Sequence, residues 1–124
     1  MPGHSERGAV AVEFAIVLPV LLALVLGIME FGRAFNAQIS LTNAAREGVR
    51  VMAISNDPAA ARTATKNAAV SLNPALADSN ISFSQPSCIP TQQITVTITY
   101  TLSTITGFAG PFALTGKGVM LCGG

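Results

Sequence analysis

The sequence predicts an α+β fold: one long N-terminal helix, a second short helix, and a small C-terminal antiparallel sheet of about three strands. Three observations lead there. Residues 9–29 hold a single charge, Glu13, in an otherwise apolar run interleaved with the good helix formers Leu and Ala. Apolar residues then recur at helical spacing as far as Ile54. The C-terminal third instead alternates apolar and polar residues, the period of a half-buried strand.

Composition narrows the function. The 124 residues hold one small domain beside the apolar run. Half are apolar and 10% are charged, against roughly 25% in ordinary soluble domains. That shortfall fits a chain with part of its surface in lipid or against partner subunits. The net charge of +1 creates no field that would recruit nucleic acid or an acidic substrate. One His, one Tyr and no Trp make a poor inventory for catalysis. No nucleophile–His–acid set, phosphate-cradling Gly loop or metal constellation is present, so the sequence points to no enzyme, cofactor, metal or small-molecule substrate.

Residues 1–8 form a short polar, leader-like segment. Pro2 and Gly3 disfavour a helix start there, and His4 is the only histidine. Residues 9–31 read as a transmembrane helix, since a span needs about 20 predominantly apolar residues. Pro19 removes one backbone donor, which a membrane helix tolerates. A cleavable signal is the competing reading. Its apolar region would be about 7–15 residues long with a small-x-small site behind it. The uncharged run Phe14–Met29 is longer, and Glu30–Ala37 offers no clean site. The short tail with its amine and Arg7 stays in the cytoplasm, which puts residues 32–124 outside as the head. Arg33 reduces that charge asymmetry.

Within the head, residues 32–54 continue the helix. Phe31, Phe35, Ile39, Ala45, Val49 and Met52 fall near one face, which is expected to pack on the sheet. Continuous helix over 9–54 would measure roughly 70 Å at about 1.5 Å per residue. Ser55–Pro58 breaks it. Asp57 as N-cap and Pro58 at N1 start a second helix over 58–72, which Asn73-Pro74 ends. Strands are expected within 81–122: Ile81–Ser84, then Gln93–Ser103, then a third inside Phe112–Cys122 after a turn at Thr106–Pro111. On the second strand Ile94, Val96, Ile98, Tyr100 and Leu102 point one way, and a row of Thr the other.

Three sets of residues carry possible chemistry. Cys88 and Cys122, 34 positions apart, are too few for a four-ligand zinc site. In an exported domain they predict a disulfide tying the Ser84–Thr91 loop to the last strand. In a reducing compartment they are two buried thiols. Asn43, Arg46, Glu47 and Arg50 lie within two helical turns. They form either a solvated face with one weak ion pair or a polar seam read by a partner or by the sheet. Ala44, Ala45 and Gly48 beside them, which allow close backbone approach, favour the seam.

Glu13 is the sharpest residue. A carboxylate at the centre of a membrane helix costs about 2.5–3.5 kcal/mol, and less near its end. It either snorkels to the interface or finds a cationic partner in lipid. Gly8 precedes it by five residues. Cleavage after Gly8 would expose an α-amine on Ala9, available to the Glu13 of a neighbouring copy.

Gly8, four apolar residues, Glu13 and Phe14 ahead of a spanning run resemble the processing motif of type IV pilins and pseudopilins. RGAVAVEFAIVLPVLL, GIMEFGRAF and LTNAAREGVR together resemble the TadE-like proteins of the tight adherence (Flp) pilus system, and TGKGVMLCGG is similar to that family's C-terminal strand. The resemblance implies a pilin-like fold and a minor pilin or pseudopilin that supports surface adhesion or biofilm formation. It implies cleavage after Gly8 by a prepilin peptidase, and a role in subunit assembly for Ala9, Glu13 and Phe14. The implied partners are the inner membrane, other pilin subunits and the pilus assembly platform. The residues after Gly8 are Ala and Val, where many pilins begin with a larger one. Two alternatives stand beside this reading: an uncleaved bitopic scaffold or assembly factor, and a soluble domain released from a signal peptide.

Overall fold

The computed structural model describes residues 2–107 and 110–123, with side chains from Glu6 onward. Helix α1 covers Pro2–Ser55 and α2 covers Pro58–Ala68. A 3-10 turn at Asp78–Asn80 leads into three strands: β1 Ile81–Phe83, β2 Gln93–Leu102 and β3 Phe112–Leu121. The chain divides into two compact units, Met1–Arg33 and Ala34–Gly124.

Helix α1 begins at Pro2, earlier than expected. Proline at the first position of a helix gives up a donor that has no partner there and brings a helical φ with it, so Pro2 starts the helix it was expected to delay. The His4 side chain lies outside the described residues. In the Met1–Arg33 unit every side chain from Glu6 to Met29 is exposed. Fourteen large apolar side chains lie between Val10 and Met29. At about 1.5–3 kcal/mol each, removing them from water is worth roughly 20–40 kcal/mol. Among its described residues no apolar side chain is buried. By length and composition this helix is able to cross a membrane.

The Ala34–Gly124 unit is built on a three-stranded antiparallel sheet in the order β1-β2-β3. β2 and β3 pair over their whole lengths, from Gln93 opposite Leu121 to Leu102 opposite Phe112. β1 pairs with β2 through Ile81–Ile98, Ser82–Thr97 and Phe83–Val96. The alternation of β2 resolves as expected: Ile94, Val96, Ile98, Tyr100 and Leu102 are buried, and the Thr row lies on the other face. The core-facing residues of α1 are Ala37, Leu41, Ala44, Ala45, Val49, Met52 and Ala53.

The expected apolar face of α1 was therefore partly wrong. Ala45, Val49 and Met52 are buried, but Phe35 and Ile39 are more than half exposed, as is Phe31 in the other unit. In this part of the helix both faces are apolar, and periodicity alone does not say which one the sheet takes. The sheet takes the side with the smaller residues, because β3 presents glycine to it. Gly116 and Gly118 stand opposite Ile98 and Val96 on the inner face. A Cβ on Gly116 would lie 2.6 Å from the Leu41 carbonyl oxygen, and one on Gly118 would lie 2.6 Å from that of Ala45. The α1 backbone rests directly on β3, which only two glycines in phase with the pleat allow.

Helix α2 packs its small side on α1. Ala61 and Thr65 are buried, and a Cβ on Gly48 would collide with the Thr65 hydroxyl. Thr65 satisfies that buried hydroxyl by donating to the Ala61 carbonyl at 2.8 Å. The cap works as the sequence predicts: Asp57 Oδ1 accepts from Ala59 N at 3.0 Å, with Pro58 first in the helix. α2 ends at Ala68, short of the expected Leu72, where Ala69 N donates to Lys66 O. Leu72, outside the helix, and Leu76 enter the core from an irregular stretch. Tyr100 anchors that stretch by donating its hydroxyl to the Pro74 carbonyl at 2.8 Å. The middle of the expected Thr106–Pro111 turn lies outside the described residues. Gly107 and Gly110 on either side of it have positive φ, which suits glycine.

Candidate functional site

The first candidate site lies in the Met1–Arg33 unit. Gly8, Ala9, Glu13 and Phe14 all lie within α1 and are exposed. Ala9 and Glu13 are one turn apart and share a face. Glu13 sits in a shallow open groove with Val10, Phe14 and Val17. It is four residues, or about 6 Å, beyond Ala9. Among the described residues no side chain pairs with Glu13; the ion pairs Glu47–Arg50 and Lys66–Asp78 lie elsewhere. Among the described residues the carboxylate therefore stands alone on an apolar surface, beside Val10, Phe14 and Val17.

The second candidate, Asn43, Arg46, Glu47 and Arg50, lies on the outer side of α1. Asn43, Arg46 and Arg50 are exposed and Glu47 is half-buried. Glu47 and Arg50 approach to 3.6 Å across side chains 45% and 61% exposed, a contact worth a few tenths of a kcal/mol. The small residues that favoured a seam face elsewhere. Ala44 and Ala45 are buried in the core, with Ala45 against β3, and Gly48 faces α2. Their close approaches are spent inside the unit.

The third pair is joined. Cys88 and Cys122 form a disulfide, with Cα atoms 5.6 Å apart. It fastens the β1–β2 connection to the end of β3, and hydrogen bonds reinforce the corner. Cys88 N donates to Asn56 Oδ1 at 2.6 Å, and Cys122 N to Gln92 O at 2.8 Å. Gly123 N reaches the Ala53 carbonyl at 3.1 Å, satisfying one of the last carbonyls of α1. Asn56 adopts a positive φ of 53° to make its bond. Sequence reasoning missed its role, although Asn is the usual non-glycine residue in that conformation.

Outside these sets, Lys66 and Asp78 meet at 2.8 Å, and Arg62 lies 4.9 Å from the centre of the Phe83 ring. The Lys66 hydrogen bond and charge hold the Asp78 carboxyl below its ordinary value, with a smaller contribution from Arg62. Both contacts join α2 to the start of the sheet. Among the described residues no three His, Cys, Asp or Glu side chains come together as metal ligands would.

Glu13, five residues after Gly8 and just inside the apolar helix, lies in the stretch that resembles a known family. Residues 8–50 match the sequence model of the TadE-like protein family. Over that stretch the chain is similar to TadE-like proteins. The match opens on Gly8 and closes on Arg50, so it lies wholly within α1 and takes in Glu13, the apolar run and the Asn43–Arg50 segment. α2 and the sheet lie beyond it. No curated protein and no solved structure matches the chain. TadE-like proteins are structural proteins associated with the Tad (tight adherence) pilus, and one long apolar helix suits membrane association in such a system.

Proposed function

We propose that the protein is a minor pilin or pseudopilin of a tight adherence pilus. On this reading a prepilin peptidase cuts after Gly8, and the chain then begins at Ala9. The apolar helix sits in the inner membrane with its N-terminus in the cytoplasm and residues 34–124 outside. The new α-amine is cationic at neutral pH. It pairs with Glu13 of an adjacent subunit, while the stems rebury their apolar surface against one another. The pilus built with its help supports surface adhesion. The supporting observation is Glu13: exposed on an apolar helix, one turn from Ala9 and without a partner among the described residues.

Magnitudes separate insertion from assembly. The carboxylate costs at most about 3 kcal/mol in lipid, against roughly 20–40 kcal/mol for the apolar side chains. Glu13 therefore leaves the anchor in place and is free to select the partner. Glu13→Gln is expected to keep membrane insertion and lose pilus incorporation. Normal incorporation of that variant would refute the pairing. N-terminal sequencing of the membrane-extracted protein tests the processing: Ala9 supports it, whereas Met1 or Pro2 identifies an uncleaved scaffold.

A further inference from the structure

Strand β3 is an edge of the sheet, and only part of that edge is closed. The ladder fixes which backbone groups face outward. Cys122 N donates to Gln92 O, so in an antiparallel pair the even-numbered residues of β3 turn their N–H and C=O toward β2. The odd-numbered residues, Ala113, Thr115, Lys117, Val119 and Leu121, turn theirs outward. The Thr115 carbonyl confirms the phase, because it accepts from Gln38 Nε2 of α1 at 2.8 Å.

The opposite side of the sheet is protected in the ways natural edges usually are. β1 is only three residues long. Beyond it, side-chain and backbone partners occupy groups that β2 turns outward. Asn80 Nδ2 donates to Thr99 O at 2.9 Å, and Ser84 exchanges bonds with Thr95, N to O at 2.9 Å and Oγ from N at 3.0 Å. From Lys117 to Leu121 no such cover is present among the described residues. Val119 and Leu121 also hold their side chains out on the sheet's outer face, each more than half exposed. Lys117 is the only charged side chain after Asp78. It stands at one end of the open stretch and leaves the other end unguarded.

We propose that the Lys117–Leu121 edge of β3 is a docking site for a lone extended segment of another protein chain, added as a fourth strand. Three features define the occupant. It brings no helix layer of its own: α1 already rests on Gly116 and Gly118, and strands in a sheet lie about 4.8 Å apart, whereas two helix axes need about 8–10 Å. That spacing rules out a second copy joined β3 to β3, because each copy carries α1 over this strand. On its inner face the segment has small side chains, since α1 overlies the edge. On its outer face it has β-branched or other apolar side chains beside Val119 and Leu121, and a carboxylate beside Lys117. The site is independent of Glu13 and of filament processing.

The test uses the full chain in detergent micelles and a synthetic seven-residue peptide, capped at both ends, that alternates alanine with valine and carries one glutamate placed to face Lys117. Amide hydrogen exchange is read residue by residue. Adding the peptide is expected to slow the Lys117, Val119 and Leu121 amides and leave the amides of Gly116, Gly118 and Met120, which already face β2, unchanged. Val119→Pro removes an outward donor without touching the β2 ladder, and is expected to weaken binding about tenfold or more. Lys117→Glu, an exposed change that leaves the fold intact, is expected to reverse the preference in favour of a peptide with lysine in place of glutamate. Outward amides that exchange equally fast with and without millimolar peptide would overturn the proposal. So would equal binding by the Val119→Pro variant, or an unchanged charge preference in Lys117→Glu.

Discussion

Gly118→Ala adds one methyl group where α1 and β3 meet. The ideal Cβ falls 2.6 Å from the Ala45 carbonyl oxygen, 2.7 Å from its carbon and 2.9 Å from Arg46 N. Ordinary contact begins near 3.4 Å, so one element must move by roughly 0.8 Å. All three atoms are backbone, and no rotamer change relieves them. Overpacking of this kind costs about 1–3 kcal/mol. Losing a glycine also stiffens the unfolded chain, which returns about 0.4–1 kcal/mol. The net expectation is a loss of about 1–2 kcal/mol. Tyr100 supplies the assay. It is the only tyrosine in a chain without tryptophan, and it is buried in the unit under test. Its fluorescence through a denaturant titration in mild detergent reports that unit alone. Gly116→Ala meets Leu41 in the same way. The double variant should lose less than the two single losses combined, because one shift of α1 relieves both. Gly32→Ala, whose Cβ meets open space, is expected to show no loss. A Gly118→Ala protein as stable as the parent, or more so, would refute the direct backbone contact.

The other expectations concern the ends of the elements and one surface pair. Replacing Cys88 and Cys122 with Ser opens a 34-residue separation and should lower stability by about 3–4 kcal/mol, seen in the same titration with and without reductant. Asp57→Ala removes the bond to Ala59 N and should cost about 1 kcal/mol, with loss of protection at the first amides of α2. Asp78 has a folded pKa below its ordinary value of 3.8, chiefly through Lys66. A depressed carboxylate contributes stability above its unfolded pKa and loses it as pH falls through the folded one. The contribution should therefore be complete above pH 3.8 and fade below it. The pair is exposed, so high salt should reduce the shift. Carboxyl titration by NMR should show the Asp78 midpoint move back up in Lys66→Met, and an unmoved midpoint would exclude Lys66 as the cause.

Elements whose signals are local and strong were legible in the sequence. The apolar run, the Asp57-Pro58 helix start, the alternating β2 strand and the three-strand antiparallel sheet all stand where their patterns put them. Glu13 stands out in the sequence as the one charge in an apolar run, and the family match spans it; the roles of Gly8, Ala9 and Phe14 belong to the proposal. The end of α2 was less legible, because Leu72 is needed in the core and leaves the helix to reach it.

The sequence by itself determined that a long apolar helix leads into a small sheet domain, and that one carboxylate near the start of that helix has no counter-charge close by. Both follow from composition and period, which act over a turn or two of chain. Only the tertiary structure decided which face of α1 the sheet covers. Phe35 and Ile39 outrank Ala37, Ala44 and Ala45 in hydrophobicity, yet they stay outside. Gly116 and Gly118, some 70 residues further on, let the α1 backbone rest directly on β3 at Leu41 and Ala45. Close packing is a property of two surfaces together, and neither stretch of sequence contains the other. The same contact puts α1 over β3 and leaves the Lys117–Leu121 edge open.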